Sequence, residues 1–315
     1  MTVIEAINAG KNIVIAGHRT PDGDAVGAVC ALGMALRNMG KNVHVVLEWY
    51  NERFNIIPGR ELLYDGDIGK LEPDTLFVLD CGNAERAGEA SRLLEKASCT
   101  VNIDHHISNT MFADVNHVDS EASSTCEMIF RILREICPID KDIASALYAG
   151  IIYDTGGLRH RSTTVKTMDA VSKLMSLDIP FPRIYDKIMH ERTLAEARAL
   201  GRALENMSLI ENGAIAFTYI NGGDLADTGA VIADLGGVCE YIVNVSGVQF
   251  ALFAYQRLDG KGCKVSIRSK SVPVNGIAQQ LGGGGHSLAA GCDFDGTIEE
   301  ARDVIIGMLK ELGGL

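Results

Sequence analysis

No block of Lys or Arg runs through this chain, which carries 29 of them against 41 Asp and Glu. The net charge is −12 and the pI about 5.1. Proteins that grip long nucleic acid show a basic stripe, because neutralised phosphates supply much of that affinity. The absence excludes an extended polymer track and predicts no binding of long duplex nucleic acid. An anionic substrate then needs a pocket made locally positive by metal ions and a few arginines, which favours short substrates. No stretch of 18 or more apolar residues occurs, so no membrane span is expected. Residues 271–292 lack Asp, Glu, Lys and Arg, but they are too rich in Gly, Ser, Gln and Asn to sit in lipid. The eight cysteines (Cys30, Cys81, Cys99, Cys126, Cys137, Cys239, Cys263 and Cys292) form no CxxC pair. The start, MTVIEAINAGKN, lacks a basic segment followed by an apolar run. Reduced, mostly buried thiols in a cytoplasmic protein are the expectation. The first strand-to-helix turn lacks GxGxxG, which disfavours a nicotinamide cofactor, and Gly282–Gly285 is not followed by Lys-Ser/Thr, which excludes a P-loop.

What is present is a chain of 315 residues, 47% hydrophobic, enough for two domains with sizeable cores. The first half alternates strand and helix patterns. Asn12–His18, Val43–Leu47, Thr75–Asp80 and Thr100–Asp104 are short apolar runs. After the first, Ala25, Ala28, Val29, Leu32, Leu36 and Met39 recur at helical spacing and Gly40 stops the helix. Ser124 with Glu127 three residues on predicts a capping box before a helix Cys126–Ile136. Ile143–Tyr153 reads as an apolar helix running into Asp154. The expected class is α/β, with a doubly wound, mostly parallel sheet. Residues 1–190 form this expected domain, and a polar helix at 191–208 reads as a linker. Residues 209–315 are expected to form a second, smaller mixed-sheet α/β domain, with strands at Ala214–Ile220, Gln249–Tyr255 and Cys263–Ile267 and a last helix at Ile298–Leu312.

Four segments of the first half carry carboxylates and histidines where strands or helices end. They are His18-x3-Asp22-x-Asp24, Asp80, Asp104-His105-His106 and Asp154. Each has an ordinary structural use. Pro21-Asp22-Gly23-Asp24 makes a good turn and helix cap, Asp80 suits a loop, a His-His pair suits a surface, and Asp154 before Thr155-Gly156-Gly157 suits a helix end. All four must be ordinary together for the site to vanish. A parallel sheet binds ligands beyond the carboxyl ends of its strands, where these segments fall. Carboxylate and imidazole donors aimed at one point are what a two-metal phosphoesterase requires. Adjacent histidines face different sides, so one can ligate a metal while the other faces substrate, with a buried carboxylate orienting an imidazole. In the second half, glycines 282–285 let backbone N–H groups approach an anion closely. Beside Arg268 and His286, the loop with Gly283, Gly284 and Gly285 predicts a clamp for a terminal phosphate or nucleotide. Arg159 and His160 follow the Asp154 segment and are candidates for the same cleft.

The ordered set HxxxDxD, D-C-G, DHH and YDTG resembles the DHH phosphoesterase superfamily, which includes RecJ-like nucleases and family II pyrophosphatases. Ser266-Ile267-Arg268-Ser269, Gly282–His286 and Ala289-Ala290-Gly291 resemble the substrate domain associated with it. The compact size is similar to the oligoribonuclease/3′-phosphoadenosine-5′-phosphate (pAp) phosphatase branch. The resemblance implies two divalent metal ions, usually Mn²⁺. One would be held by His18, Asp22 and Asp80, the other by Asp24, Asp80, His105 and Asp154, with Asp80 bridging. His106 would lie toward the scissile phosphate, and Asp104 would support the histidines. The substrates implied are short RNA oligonucleotides and pAp. A linear cyclic-dinucleotide product and pyrophosphate are the rival substrates. A nucleotide-binding regulatory protein with an inert site is the rival outside the enzymes. Homodimerisation is left open by the sequence.

Overall fold

The structure is a computed structural model that describes residues 1–48 and 50–312, without the His286 side chain. It divides into two compact units, Met1–Glu191 and a second that begins at Arg192.

The first unit is built on five parallel strands, β1 (Asn12–Ala16), β2 (Asn42–Val46), β3 (Thr75–Leu79), β4 (Cys99–Asp104) and β5 (Val115–Val118). Their order is β2-β1-β3-β4-β5, so the chain reverses direction across the sheet between β1 and β3. Ala16 pairs with Val78 and Leu79 with Ile103, which sets the three central strand ends level. All five residues of β3 are buried, as a strand covered on both faces requires. The expected α/β class with a doubly wound parallel sheet is what the chain adopts. β5 was not expected, because its VNHV pattern is half-exposed at the sheet edge and too short to register as a period.

Around the sheet lie α1 (Val3–Ala9), α2 (Gly23–Asn38), α3 (Thr125–Ile136), α4 (Lys141–Asp154), α5 (Val165–Met175) and α6 (Phe181–Tyr185). All six contribute to one core with Ile13, Ile15, Phe77, Leu79, Val101 and Ile103. The other face is covered by 3₁₀ turns, of which Ala84–Leu93 buries Ala87, Ala90 and Leu93 against Val14, Val46 and Leu76. The expected capping box at Ser124 forms only by half. Ser124 accepts from Glu127 N at 3.0 Å, but the Glu127 carboxylate turns away to Ser123 and Thr167. Asp154 is the last residue of α4 rather than a residue beyond it.

α2 and α4 cross closely because glycines stand at the crossing. A Cβ on Gly27 would lie 2.6 Å from the Ala146 carbonyl oxygen. On Gly150 it would lie 2.2 Å from Cys126 Sγ and 2.9 Å from Asp24 Oδ1. This approach brings the first turn of α2, with Asp24, to the last turn of α4, with Asp154.

The second unit holds a mixed sheet with order β10-β11-β9-β8-β7-β6. Its strands are β6 (Ser208–Ile210), β7 (Ile215–Ile220), β8 (Phe250–Gln256), β9 (Cys263–Ser269), β10 (Gly284–His286) and β11 (Ala289–Phe294). Among the described strands of this sheet, only β7 and β8 pair in parallel. Phe250, Leu252 and Ala254 face one core and Ala251 and Phe253 the other, the two-residue period of a strand buried on both sides. Helices α7 (Leu194–Glu205), α8 (Gly222–Thr228), α9 (Val238–Val243), α10 (Asn275–Gln280) and α11 (Ile298–Glu311) complete it. The helix expected as a linker is α7, and it buries Ala199 and Ala203 in the second unit's core. The expected domain end at 315 falls on residues beyond the described ones.

Alanine in place of Gly150 gains helix propensity of about 1 kcal/mol. Forcing a methyl into the packed crossing costs about 1–3 kcal/mol, so destabilisation should win. Urea unfolding of Gly150→Ala should show a lower midpoint at unchanged slope. A midpoint at or above the parent's would mean the crossing has room the geometry denies.

Candidate metal centre

Every expected metal-site residue of the first unit lies at the carboxyl edge of the parallel sheet, around the reversal between β1 and β3. His18 lies two residues past β1, at 4% exposure. Asp22 is the N-cap of α2, accepting from Asp24 N at 3.0 Å and Ala25 N at 3.1 Å. Its capping role and its place in the site therefore coexist. Asp24 is fully buried in the first turn of α2. Asp80 directly follows β3 with φ +57°, a left-handed conformation that a non-glycine residue adopts only where its surroundings hold it. Asp104 ends β4, and His105 and His106 follow.

The donor atoms converge. His18 Nε2 lies 3.5 Å from Asp80 Oδ2 and 3.8 Å from Asp22 Oδ1. His105 Nε2 lies 3.6 Å from Asp80 Oδ1 and 3.4 Å from Asp154 Oδ2. Within each of the sets His18/Asp22/Asp80, Asp24/His105/Asp154 and Asp80/His105/His106, one donor atom per residue falls within 4.8 Å of the others. Oxygen and imidazole nitrogen in this mixture suit a divalent ion of borderline hardness.

His106 differs from His105. Its Nδ1 is 2.7 Å from Asp104 Oδ1, so that carboxylate fixes Nδ1 as the protonated nitrogen. Asp104 Oδ2 in turn accepts from Asn109 Nδ2 at 2.6 Å, and Asn109 also reaches Asn102 Oδ1 at 2.8 Å. Asn102 donates to the carbonyls of Val78 and Cys81, at 3.0 and 3.1 Å, on either side of Asp80. Asn102, Asn109 and Thr125, which donates to Asp80, were not anticipated. Asn102 sits inside an apolar strand, and that buried amide was the available signal for it.

Charge is crowded here. Burial, followed by the nearby charge of Asp80, pushes the Asp24 carboxyl up to about 7. Burial and then Asp24 and Asp80 push Asp154 well above the usual carboxylate range. Burial opposes ionisation of Asp80 too, but His18, His105 and His106 outweigh it and hold its carboxyl below that range. Burial likewise works against His18, yet Asp22 and Asp80 raise its imidazole to about 9. Burial also lowers His106, but the hydrogen bond to Asp104 and the charge of Asp80 raise it overall. A divalent cation at this point would relieve the repulsion that raises Asp24 and Asp154, so the donor set fits such an ion electrostatically.

Arg159 is exposed on the turn after Asp154, and His160 Nδ1 lies 3.0 Å from the Asp154 carbonyl oxygen. The remaining expected residues belong to the second unit. The clamp was expected as a loop, but Gly284–His286 is a strand, β10, paired antiparallel to β11. Two of its glycines have packing reasons. A Cβ on Gly283 would lie 2.2 Å from the Gly291 carbonyl oxygen, and on Gly285 2.5 Å from that of Ala289. A Cβ on Gly284 would meet nothing within 4 Å, so the fold does not demand glycine there. Arg268 pairs with Glu240, with Nε 2.8 Å from its Oε1. The His286 side chain lies outside the described residues.

Residues 12–151 match the DHH family, N-terminal domain, and residues 212–311 match the DHHA1 domain. A Bacillus subtilis (strain 168) protein named bifunctional oligoribonuclease and PAP phosphatase NrnA is 28% identical over 299 residues, covering 93% of this chain and 92% of that protein. A Mycoplasma genitalium protein of uncharacterized function is 32% identical over 284 residues, 88% of this chain and 85% of that one. The crystal structure of an exopolyphosphatase-related protein from Bacteroides fragilis matches with a TM-score of 0.91 at 28% identity, covering 98% of this chain and 94% of that chain.

The sign of the pH dependence follows from these shifts. Unfolded Asp ionises near ~4, whereas folded, metal-free Asp24 holds its proton to about 7. The stability this gives is full below ~4 and is lost as pH rises to 7. His18 adds stability below 6.5 that is lost as pH rises to about 9. The Asp80 contribution is present above ~4 and fades only as pH falls below it. A cation held by this donor set would need Asp24 and Asp154 ionised and His18 neutral, so its hold would strengthen with pH. The rise in thermal midpoint on adding saturating Mn²⁺ should be larger near pH 8 than near pH 6. An equal or smaller rise at the higher pH would contradict this assignment of protons.

Proposed function

Because the chain belongs to the DHH family of metal-dependent phosphoesterases, we propose that it hydrolyses short RNA oligonucleotides to mononucleotides and removes the 3′-phosphate of pAp. The observation that carries this reading is the convergence of His18, Asp22, Asp24, Asp80, His105 and Asp154 at one edge of the parallel sheet. In this proposal His18, Asp22 and Asp80 hold one divalent ion, and Asp24, Asp80, His105 and Asp154 a second, with Asp80 shared. Mn²⁺ is the ion proposed. Bound there, the two ions would acidify a water and offset negative charge on the phosphoryl oxygens.

The chain's own residues do the rest. Asp104 commits His106 Nδ1, so the role toward substrate falls to Nε2. With Nδ1–H held by Asp104, the His106 ring is oriented to give a proton or a hydrogen bond to the departing ester oxygen. Burial of His18, Asp24 and Asp80 keeps their interactions in a medium less polar than water, where charge acts more strongly. The proposed substrate-binding residues are Arg159 in the first unit and Arg268, Gly283, Gly284, Gly285 and His286 in the second. Gly284 supports a close anion approach best, since its missing side chain is not needed for packing. For Arg268 to take a phosphate, Glu240 must yield it.

Two further lines support the choice of substrate. The Bacillus subtilis relative bears both activities in its name. The net charge of −12 offers no track for a long polymer. The eight cysteines are unpaired, which supports a cytoplasmic setting.

The decisive experiment is a Mn²⁺ substrate panel of pAp, an RNA length series, a linear cyclic-dinucleotide product and pyrophosphate. kcat/KM should peak at about two to five nucleotides, with pAp also turned over. A 24-mer cleaved as fast would reject the short-substrate reading. No turnover of any phosphoester would favour a nucleotide-binding regulator instead.

Single substitutions separate the roles. Asp80→Ala should lose more than about tenfold in rate, ~1.4 kcal/mol of barrier, with the fold retained. His105→Ala should lose metal by elemental analysis, while His106→Ala should keep metal and lose rate. Equal metal loss in both histidine variants would reject this division.

A further inference from the structure

α3 begins at an N-cap, Ser124, whose hydroxyl accepts from Glu127 N at 3.0 Å. The N–H groups of Thr125 and Cys126, the first two helical residues, are left for acceptors outside the helix. Both go to one carboxylate. Thr125 N donates to Asp24 Oδ2 at 2.6 Å and Cys126 N to Asp24 Oδ1 at 2.9 Å. Thr125 also donates its hydroxyl to Asp80 Oδ1 at 3.1 Å. One fully buried residue therefore holds two carboxylates that arrive on different elements, the first turn of α2 and the end of β3.

That hold is stiff. The Glu127 carboxylate accepts from Ser123 N at 3.2 Å, from Ser123 Oγ at 2.7 Å and, in the first turn of α5, from Thr167 Oγ1 at 2.8 Å. The start of α3 is thus tied on both sides and cannot follow the carboxylates if they drift apart. Asp24 and Asp80 carry like charge when ionised, and without a tie they would separate. A site for a small cation tolerates little change in the separation of its ligands.

We infer that Thr125 is a positioning residue that sets the distance between Asp24 and Asp80, and through it the affinity of the centre for a divalent ion. Its backbone N–H fixes Asp24 whatever the side chain, and its hydroxyl fixes Asp80. Only the second link depends on residue type, so the two can be separated by substitution. The inference rests on the proposed metal-binding reading of this site.

Thr125→Val keeps the shape and the backbone N–H but deletes the hydroxyl donor. Thr125→Ser keeps the donor and loses only a methyl. Calorimetric titration of the metal-free proteins with Mn²⁺ is the readout, alongside metal-free thermal midpoints. Thr125→Val should bind Mn²⁺ about tenfold more weakly or worse, and Thr125→Ser should stay within about threefold of the parent. Parent protein that binds no Mn²⁺ would defeat the metal reading itself. Parent-like affinity in Thr125→Val, with the parent binding normally, would defeat this inference alone. Equal weakening in the Ser and Val variants would assign the effect to packing and also overturn it. If Thr125→Val does not fold, Thr125→Ala removes the same donor without steric demand, and the same outcomes decide.

Discussion

The structure depends on one constraint, the packing of like charge into a space that water reaches poorly. Asp24 and Asp80 are buried, and Asp22 and Asp154 are only partly exposed. Two like charges about 4 Å apart repel by about 4 kcal/mol at an effective dielectric of ~20. The chain meets part of this with its own groups. The N-terminus of α3 gives Asp24 two N–H bonds at the positive end of a helix. His18, His105 and His106 surround Asp80. What is left over raises the carboxyls of Asp24 and Asp154 above the usual carboxylate range. The same excess of negative potential that raises those carboxyls would give a divalent cation its hold.

Much of this was legible in the sequence because ligands and strand ends coincide. Apolar runs of five residues ending in Asp or His mark buried parallel strands, and the parallel sheet then sends their carboxyl ends to one edge. His18, Asp80, Asp104 and His105 could be read in this way. The partners that hold them could not. Thr125 acts through its backbone N–H and its hydroxyl, beside the N–H of Cys126, across more than 40 residues of sequence, and helical periodicity is blind to that. Asn109 sits in an irregular loop, and only the folded turn brings it to Asp104. Edge strands were missed for a related reason. β5 and β6 are short and half-exposed, and β10 is mostly glycine, so none carries the alternation that reveals a strand.

The glycine run shows how one pattern can serve two masters. Four consecutive glycines read as a flexible anion-binding loop, and part of the reason for them is a strand pairing so close that β11 leaves no room for Cβ at positions 283 and 285. Gly284 has no such reason, and Gly282, at φ +76°, is needed for the backbone turn. Of the four, Gly284 alone remains as evidence for a ligand. Arg268 is similarly double. It was expected to meet a phosphate, and Glu240 occupies its fork. A carboxylate in that position would compete with any phosphate for the guanidinium.

Local rules of structure are broken together at the metal centre. Asp80 adopts a left-handed backbone without being glycine. Asp154 ends a helix, where the macrodipole disfavours an anion. Asp24 is wholly buried without a cationic side chain bonded to it among the described residues. Any one of these would be a minor cost, absorbed by the large apolar core beneath. Three carboxylates that each lie within 4.8 Å of His105 are hard to explain as accidents of packing, since each could be relieved by a neutral side chain. Sequences are locally consistent almost everywhere, and inconsistency gathers where function holds a residue against folding preference. The breaches here also share a sign. At Asp24 and Asp154 they place negative charge where burial and neighbouring carboxylates oppose ionisation, so a compact, multivalent cation would relieve both. That description follows from the folded chain's own electrostatics, independently of any relative it resembles.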